Sequence, residues 1–127
     1  MFRGFLRAQV QALQSHTNVQ VAGLIGCNLL FNIVANSSFK LSAASPNWRG
    51  FLAWQVVGNL AGLATVITLT WLLKFLPLHV AYPVTVGLAV IGVQVVGAAI
   101  LFHEGIAARQ WVGTLLVAAG IFLIGGR

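Results

Sequence analysis

The stretch VQVAGLIGCNLLFNIVANSSFKL, residues 19–41, decides the fold of this chain. It is long and apolar enough to cross a bilayer as a helix, which takes about 20 mainly apolar residues. Four polar side chains interrupt it at intervals of four residues, and we call them the polar ladder: Asn28, Asn32, Asn36 and Lys40. At about 100° per residue, this spacing gives a slanting stripe roughly 18 Å long on one side of a helix. Hydrocarbon penalises uncompensated polar groups, so the stripe is expected to face protein, water or ligand.

The composition indicates an integral membrane protein. Of 127 residues, 59% are hydrophobic and only 6% are charged, which is more apolar surface than a soluble domain of this size can bury. Seven basic residues and one acid give a net charge of +6. The basic residues are scattered singly, a pattern typical of membrane-interface anchors and not of a nucleic-acid surface.

The hydropathy pattern predicts an all-α membrane protein with two parts. Residues 1–18 carry Arg3 and Arg7 among apolar residues at helical spacing, which predicts an amphipathic helix along the membrane surface. Residues 19–127 are expected to form a four-helix transmembrane domain whose short connections make neighbouring helices antiparallel. The predicted spans are about 19–41, 51–73, 80–102 and 108–126.

Glycines indicate close helix packing and an assembly larger than one chain. Gly58 and Gly62 form a small-xxx-small pair in the second span, and Gly113 and Gly120 lie two turns apart in the fourth. Four thin helices enclose little volume, so a substrate path is more easily formed between two chains. We therefore expect a dimer, either of identical chains or of two related small membrane proteins.

The polar ladder has two interpretations. An asparagine amide donates and accepts hydrogen bonds without titrating, so Asn32 can hold sugar hydroxyls or a phosphate but cannot carry a proton. Alternatively, Asn28, Asn32 and Asn36 hold helices together by hydrogen bonds. Lys40 either extends its ammonium to the interface or, together with Arg49, attracts a lipid phosphate.

Other polar residues in or near the spans have similar alternatives. Gln94 and Asn59 either extend the polar path or bond each other. Pro83 is expected in the first turn of the third helix, where proline is tolerated. Glu104 is expected either to favour the N-terminal end of the fourth helix or to pair with Arg109.

The first span, NIVANSSFKLS over residues 32–42, resembles the first helix of the small multidrug resistance family, in which an essential glutamate precedes a lysine by the same interval. The resemblance covers roughly residues 20–126 and implies membership of the wider drug/metabolite transporter superfamily (EamA-like). Further matching motifs are Leu76-Pro77, Val80-Ala81-Tyr82-Pro83, Gly87, Phe102-His103-Glu104, Trp111-Val-Gly113 and Ala119-Gly120-Ile121.

Two departures from the drug exporters favour a different branch. Asn32 stands where the exporters have the glutamate that binds protons and cationic substrate, and Thr85 stands where a tryptophan stacks on the drug. More similar are the small flippase subunits that move undecaprenyl-phosphate-linked aminoarabinose across the bacterial inner membrane, which the chain resembles in the combination Ala81-Tyr82-Pro83, His103-Glu104, Arg109, Trp111 and Gly113. The resemblance implies that Tyr82 and Thr85 line a central cavity, although interface anchoring alone also explains Tyr82.

Together these patterns predict a multi-pass protein of the bacterial inner membrane that translocates a polyprenyl-phosphate-linked sugar or a similar amphiphilic lipid. The alternatives are a small exporter of cationic or polar solutes and a non-transporting structural subunit. We expect no enzymatic activity, cofactor, metal site or nucleic-acid partner, because the sequence has no ligand cluster, catalytic set or phosphate loop. The predicted substrate-binding residues are Asn28, Asn32, Asn36, Lys40, Arg49, Tyr82, Thr85 and Gln94.

Overall fold

The structure is a computed structural model that describes the backbone of residues 2–125 and the side chains of residues 2–11 and 17–125. The described chain is helical, without strands, and confirms the predicted all-α architecture. Met1, Gly126 and Arg127, which the predicted domains include, lie outside the described residues. The elements are α1 (Phe2–Ala44), α2 (Trp48–Leu72), α3 (Leu78–Gly92), a π-helical segment (Val93–Leu101) that continues α3, and α4 (Ala108–Gly125).

Four segments of the described chain are long and apolar enough to cross a membrane: Thr17–Ala44, Trp48–Leu72, Leu78–Leu101 and Ala108–Gly125. They match the four predicted spans to within a few residues. The segment predicted to be interfacial is helical and joins the first span without a break in α1. Its position along a membrane surface stays a prediction.

Short polar turns and aromatic pairs mark the ends of α2. Asn47 caps its N-terminus, with the Gly50 backbone N–H donating to Asn47 Oδ1 at 2.8 Å, because an asparagine before the first turn satisfies an otherwise unpaired N–H. Trp48 stacks on Phe51 there, with 5.2 Å between ring centroids. At the other end, the Lys74 ammonium lies 4.8 Å from the Trp71 ring centroid. Aromatic and basic residues at both ends of an apolar helix suit the two membrane interfaces.

Helix α3 begins earlier than the sequence indicated. Pro77 is the N-cap residue in an extended conformation, and its carbonyl accepts from the Val80 and Ala81 N–H groups at 3.1 and 2.9 Å, so α3 begins at Leu78. The prediction that Pro83 occupies the first turn is therefore wrong, because this proline is the sixth residue of α3.

The second half of the third span is π-helical, which the sequence pattern did not predict. The segment Val93–Leu101 ends with the Phe102 N–H donating to the Gly97 carbonyl at 3.0 Å, five residues back. The Glu104 N–H then donates to the Ala98 carbonyl at 2.8 Å, and His103 between them has φ 52°. Helices of this type are rare, occur mostly as single turns and are frequent at functional sites.

Small residues bring the helices together. The buried apolar residues are few and mostly small, with Ala35 of α1 and Ala61 of α2 4% and 7% exposed. Many large apolar side chains lie on the outside instead, among them Phe122 and Leu123 of α4, each 83% exposed. This distribution suits a chain whose surroundings are lipid or other apolar helices.

The four glycines predicted to pack helices differ in their surroundings. Gly58 lies against the Phe39 ring of α1, where a Cβ would meet the ring Cδ1 at 2.7 Å. A Cβ at Gly62, Gly113 or Gly120 would meet no described heavy atom within 4 Å. These three glycines therefore make no close helix contact within the described chain, and their role in helix packing stays a prediction.

Gly87 provides a test of how closely α3 and α4 approach. A Cβ at this buried position would lie 2.6 Å from Ile121 Cγ1, an atom near the backbone of α4 that has little room to move. We expect Gly87→Ala to lower the free energy of unfolding by about 1–3 kcal/mol through overpacking. Unfolding of the purified protein in mixed micelles by a denaturing detergent, followed by tryptophan fluorescence, measures this change.

Gly23→Ala is the matched control, because a Cβ at Gly23 would meet nothing within 4 Å. Its unfolding free energy should stay the same or rise slightly, since alanine favours a helix over glycine. Equal losses in the two variants would show that α3 and α4 do not approach as the structure has them.

Candidate functional site

A cavity of about 530 Å³ lies between α1, α2, α3 and the π-helical segment. Six of the eight predicted substrate-binding residues line it: Asn28, Asn32, Asn36, Tyr82, Thr85 and Gln94. Apolar side chains from α2 and α3 form much of the remaining wall. The described residues that line this central cavity are all uncharged, with amides and hydroxyls on a largely apolar surface.

Asn28 joins α1 to α2. Its Nδ2 donates to the Thr65 carbonyl at 2.9 Å and to Thr68 Oγ1 at 3.0 Å, and the residue is only 3% exposed. Buried amides commonly hold membrane helices together in this way. The contacts of Asn28 therefore agree with the interpretation in which the asparagines hold helices together by hydrogen bonds.

Asn32 and Asn36 form no hydrogen bond to another helix. Asn32 Nδ2 donates to the carbonyl and to Oδ1 of Asn28 at 3.1 and 2.9 Å, and Asn36 Nδ2 donates to the Asn32 carbonyl at 2.9 Å. Their Oδ1 atoms accept no hydrogen bond from the described residues. Since both residues line the central cavity, they supply acceptors suited to ligand hydroxyl groups.

The opposite wall is formed by α3 and the π-helical segment. Thr85 is 4% exposed, and its hydroxyl donates to the Ala81 and Tyr82 carbonyls at 2.9 and 3.1 Å, so its proton is already used within α3. Tyr82 is 54% exposed while lining the cavity, which places it at the cavity rim.

Gln94 connects the cavity wall to α4. Its Oε1 accepts from the Thr114 hydroxyl at 2.7 Å. Asn59 instead donates to the Gln55 carbonyl at 2.7 Å, on the outer face of α2. The interpretation in which Gln94 and Asn59 bond each other is therefore wrong, because they belong to different contacts.

Lys40 and Arg49 lie outside the central cavity. Lys40 lines an adjoining cavity of about 180 Å³ and pairs with Glu104, with 2.9 Å between Nζ and Oε1. Glu104 therefore pairs with Lys40 and not with Arg109. Arg49 is exposed in the first turn of α2 and lines neither cavity, so the structure does not bring it together with the polar ladder.

Sequence reasoning missed three residues that shape the site. Thr65 and Thr68 receive the Asn28 amide, and two threonines three residues apart in an apolar span were a visible signal of a polar contact. Ser37 has a buried hydroxyl, and no signal in the sequence distinguished it from its neighbour Ser38. Among the described residues, no group of three or more His, Cys, Asp or Glu side chains is arranged to hold a metal ion.

Comparison with known proteins gives two matches. The family model described as Small Multidrug Resistance protein matches residues 21–117, which is more than half of the chain. The chain is also 30% identical over 82 residues to the "Probable 4-amino-4-deoxy-L-arabinose-phosphoundecaprenol flippase subunit ArnE" of Aeromonas hydrophila, covering 63% of this chain and 69% of that relative. No solved structure gives a significant match.

The two kinds of contact in the polar ladder predict different effects on stability. Asn28→Ala should lower the free energy of unfolding by about 1–2 kcal/mol, because it removes two hydrogen bonds between α1 and α2. Asn36→Ala is the control and should change it by less than about 0.5 kcal/mol, because the Asn36 amide bonds only within α1. Denaturing-detergent titration of both variants measures the difference, and equal losses would contradict the assignment.

Proposed function

This chain belongs to the Small Multidrug Resistance protein family, and from that membership and the cavity we propose that it is a flippase or transporter subunit for an amphiphilic lipid. It is a multi-pass membrane protein. The proposed substrate is a polyprenyl-phosphate-linked sugar, and the proposed location is the bacterial inner membrane. The observation that carries the proposal is an uncharged, amide-lined cavity beside exposed apolar helix surfaces.

The central cavity suits the sugar part of such a lipid. Its volume of about 530 Å³ falls in the range of roughly 300–1,000 Å³ typical of small-molecule sites. The Oδ1 atoms of Asn32 and Asn36 can accept hydrogen bonds from sugar hydroxyl or amino groups, and the apolar wall can contact the sugar ring. Bonds to hydroxyl groups give selectivity, because a ligand without them leaves the cavity's polar groups unpaired.

A lateral opening between α2 and α3 would let the lipid tail remain in the bilayer. Several residues that line the cavity on these helices also lie on the outer surface of the chain: Val66, Tyr82, Val86 and Val90 are 58%, 54%, 42% and 45% exposed. A headgroup can enter between such residues while an attached hydrocarbon chain stays among apolar side chains. Only the polar part of the lipid then needs shelter from hydrocarbon.

The same opening supports assembly with a second membrane protein. The relative in Aeromonas hydrophila is, by its name, a flippase subunit. A second chain placed beside α2 and α3, either an identical copy or a related small protein, would complete the cavity wall and cover large exposed apolar side chains. We therefore retain the dimer as part of the proposed function.

The chemistry of the cavity separates this proposal from an exporter of small cations. A buried cation needs a carboxylate or an aromatic face, because an unpaired charge in apolar surroundings is strongly destabilised. The described cavity lining is uncharged, and its aromatic residue, Tyr82, lies at the rim. A resistance phenotype against cationic drugs that depends on Asn32 would favour the exporter. Cysteines introduced at positions 28, 32 and 36 that water-soluble reagents cannot label would favour a purely structural subunit.

Translocation in vesicles tests the proposed function. The protein, together with its partner subunit where one is needed, is reconstituted with a fluorescent polyprenyl-phosphate sugar, and the arrival of the label in the opposite leaflet is followed by chemical quenching. We expect Asn32→Ala to lower the rate about five- to tenfold, because it removes an acceptor worth about 1–1.4 kcal/mol to the headgroup.

Asn59→Ala is the matched control. Both amides donate to the carbonyl four residues earlier in an apolar helix, but Asn59 lies on the outer face of α2 and not in the central cavity. Its translocation rate should equal that of the unaltered protein. If the unaltered protein, with its partner subunit present, transports no more label than empty vesicles, the proposed function is overturned. Equal losses of rate in Asn32→Ala and Asn59→Ala would exclude the central cavity as the path.

A further inference from the structure

A second, smaller cavity lies between the end of the polar ladder and the π-helical segment. It has a volume of about 180 Å³ and shares Asn36, Val93 and Ala98 with the central cavity, so the two adjoin. We call it the ladder-end cavity. Lys40, Ser37 and Glu104 supply its other polar side chains.

The charges at the ladder-end cavity come from distant parts of the chain. Lys40 lies on α1, and Glu104 lies in the connection between the π-helical segment and α4. Glu104 is the only acid in a chain with seven Lys and Arg residues, and its Oε1 lies 2.9 Å from Lys40 Nζ. The only acidic side chain of the sequence is thus paired with the basic member of the polar ladder.

The connection that carries Glu104 is held close to the π-helical segment. The Glu104 N–H donates to the Ala98 carbonyl at 2.8 Å, six residues back. His103 has φ 52°, a left-handed conformation that costs free energy for a residue other than glycine. Release of the carboxylate would remove one of the contacts that keep the connection in this conformation.

Ser37 adds an unmet hydrogen-bonding group to the same cavity. Its Oγ is buried and has no hydrogen-bond partner among the described residues. A buried hydroxyl in this state is unfavourable, and an acceptor that entered the cavity would relieve it. An ammonium with three donors beside a free hydroxyl is a set that favours an anion with several oxygens.

We infer that the ladder-end cavity binds a phosphate-type anion through Lys40 and Ser37, and that Glu104 is the internal occupant that this anion displaces. The inference deepens the proposed function and rests on it, because the phosphate of a lipid-linked sugar whose sugar lies in the central cavity would reach the adjoining cavity. The Glu104 carboxylate holds the connection to α4 against α1 when no anion is bound. Binding of the anion frees the connection.

The ion pair is suited to exchange. Its side chains are 53% and 44% exposed, and ion pairs of such exposure contribute little to stability. A phosphate offers more acceptor oxygens than a carboxylate, so it can bond Lys40 and Ser37 together. A phosphate can therefore replace the Glu104 carboxylate on Lys40.

Binding to the purified protein in nanodiscs of zwitterionic phosphatidylcholine tests the exchange. The probe is farnesyl phosphate, with inorganic phosphate as a second arm and farnesol as the uncharged arm. We expect Glu104→Gln to bind farnesyl phosphate about two- to fivefold more tightly, the affinity equivalent of losing a competing half-exposed ion pair. Lys40→Gln and Ser37→Ala should bind it more weakly, and farnesol binding should not change.

Two controls distinguish displacement of Glu104 from Lys40 from a general gain in anion affinity caused by a higher net positive charge. Ala108→Lys adds the same unit of positive charge in the first turn of α4, at an exposed position outside the ladder-end cavity, and should give less of a gain than Glu104→Gln. In the Lys40→Gln background, Glu104→Gln should give no gain. Competition by inorganic phosphate at equal concentration would assign the site to free phosphate, whereas its failure to compete would assign the site to the lipid headgroup.

Movement of the connection has its own measurement. In a Cys27→Ala background, Gly105→Cys places a thiol where a Cβ meets no atom within 4 Å. Farnesyl phosphate should speed maleimide labelling of this thiol when Glu104 is present, and should have no effect on labelling in Glu104→Gln. Labelling that is insensitive to the probe in both proteins would overturn the displacement.

Unchanged or weaker binding in Glu104→Gln, or a gain that persists without Lys40, would also overturn the inference. These results are distinct from failure of the proposed function. That function fails if vesicles show no translocation even though farnesyl phosphate binds in a Lys40-dependent way. The inference alone fails if translocation is observed while Glu104→Gln leaves binding unchanged.

Discussion

The hydrogen bonds of Asn28 to Thr65 and Thr68 are the contact on which the arrangement of the site depends. An amide inside an apolar span that lacks water must find hydrogen-bond partners within the protein or raise the free energy of the folded chain. Asn28 finds both partners on α2 and is almost fully buried. This contact fixes the rotation of α1 against α2, and the next positions of the polar ladder, four and eight residues further, then face the central cavity.

The geometry divides the polar ladder into three kinds of position. Asn28 bonds across helices, Asn32 and Asn36 bond within α1 and line the central cavity, and Lys40 pairs with Glu104 at its end. The two interpretations that the sequence left open therefore apply to different members of the same stripe. A regular spacing of four residues gives these different surroundings because each step turns the side chain about 40° around the helix axis.

The sequence predicted the helices well and the contacts between them only in part. Spans follow from apolar length, and six cavity residues followed from polar positions in those spans or from the family resemblance, because both depend on local pattern. The pairing of Lys40 with Glu104 could not be predicted, since 64 residues separate them and only the tertiary structure brings them together. The π-helical segment also escaped prediction, because an apolar run with glycine and alanines has the same hydropathy in an α-helix as in a π-helix.

The π-helical segment connects these observations physically. A wider turn changes the direction in which successive side chains point, and here Gln94 lies beside the central cavity while bonding Thr114 of α4. The same segment holds the Glu104 backbone through the Ala98 carbonyl, so it contacts α4 at one end and the partner of Lys40 at the other. Glu104 is the one acidic side chain of the sequence, and it pairs with Lys40. That pair lines the ladder-end cavity beside the connection to α4, so an anionic headgroup that bound there would act on the contact between α1 and this connection.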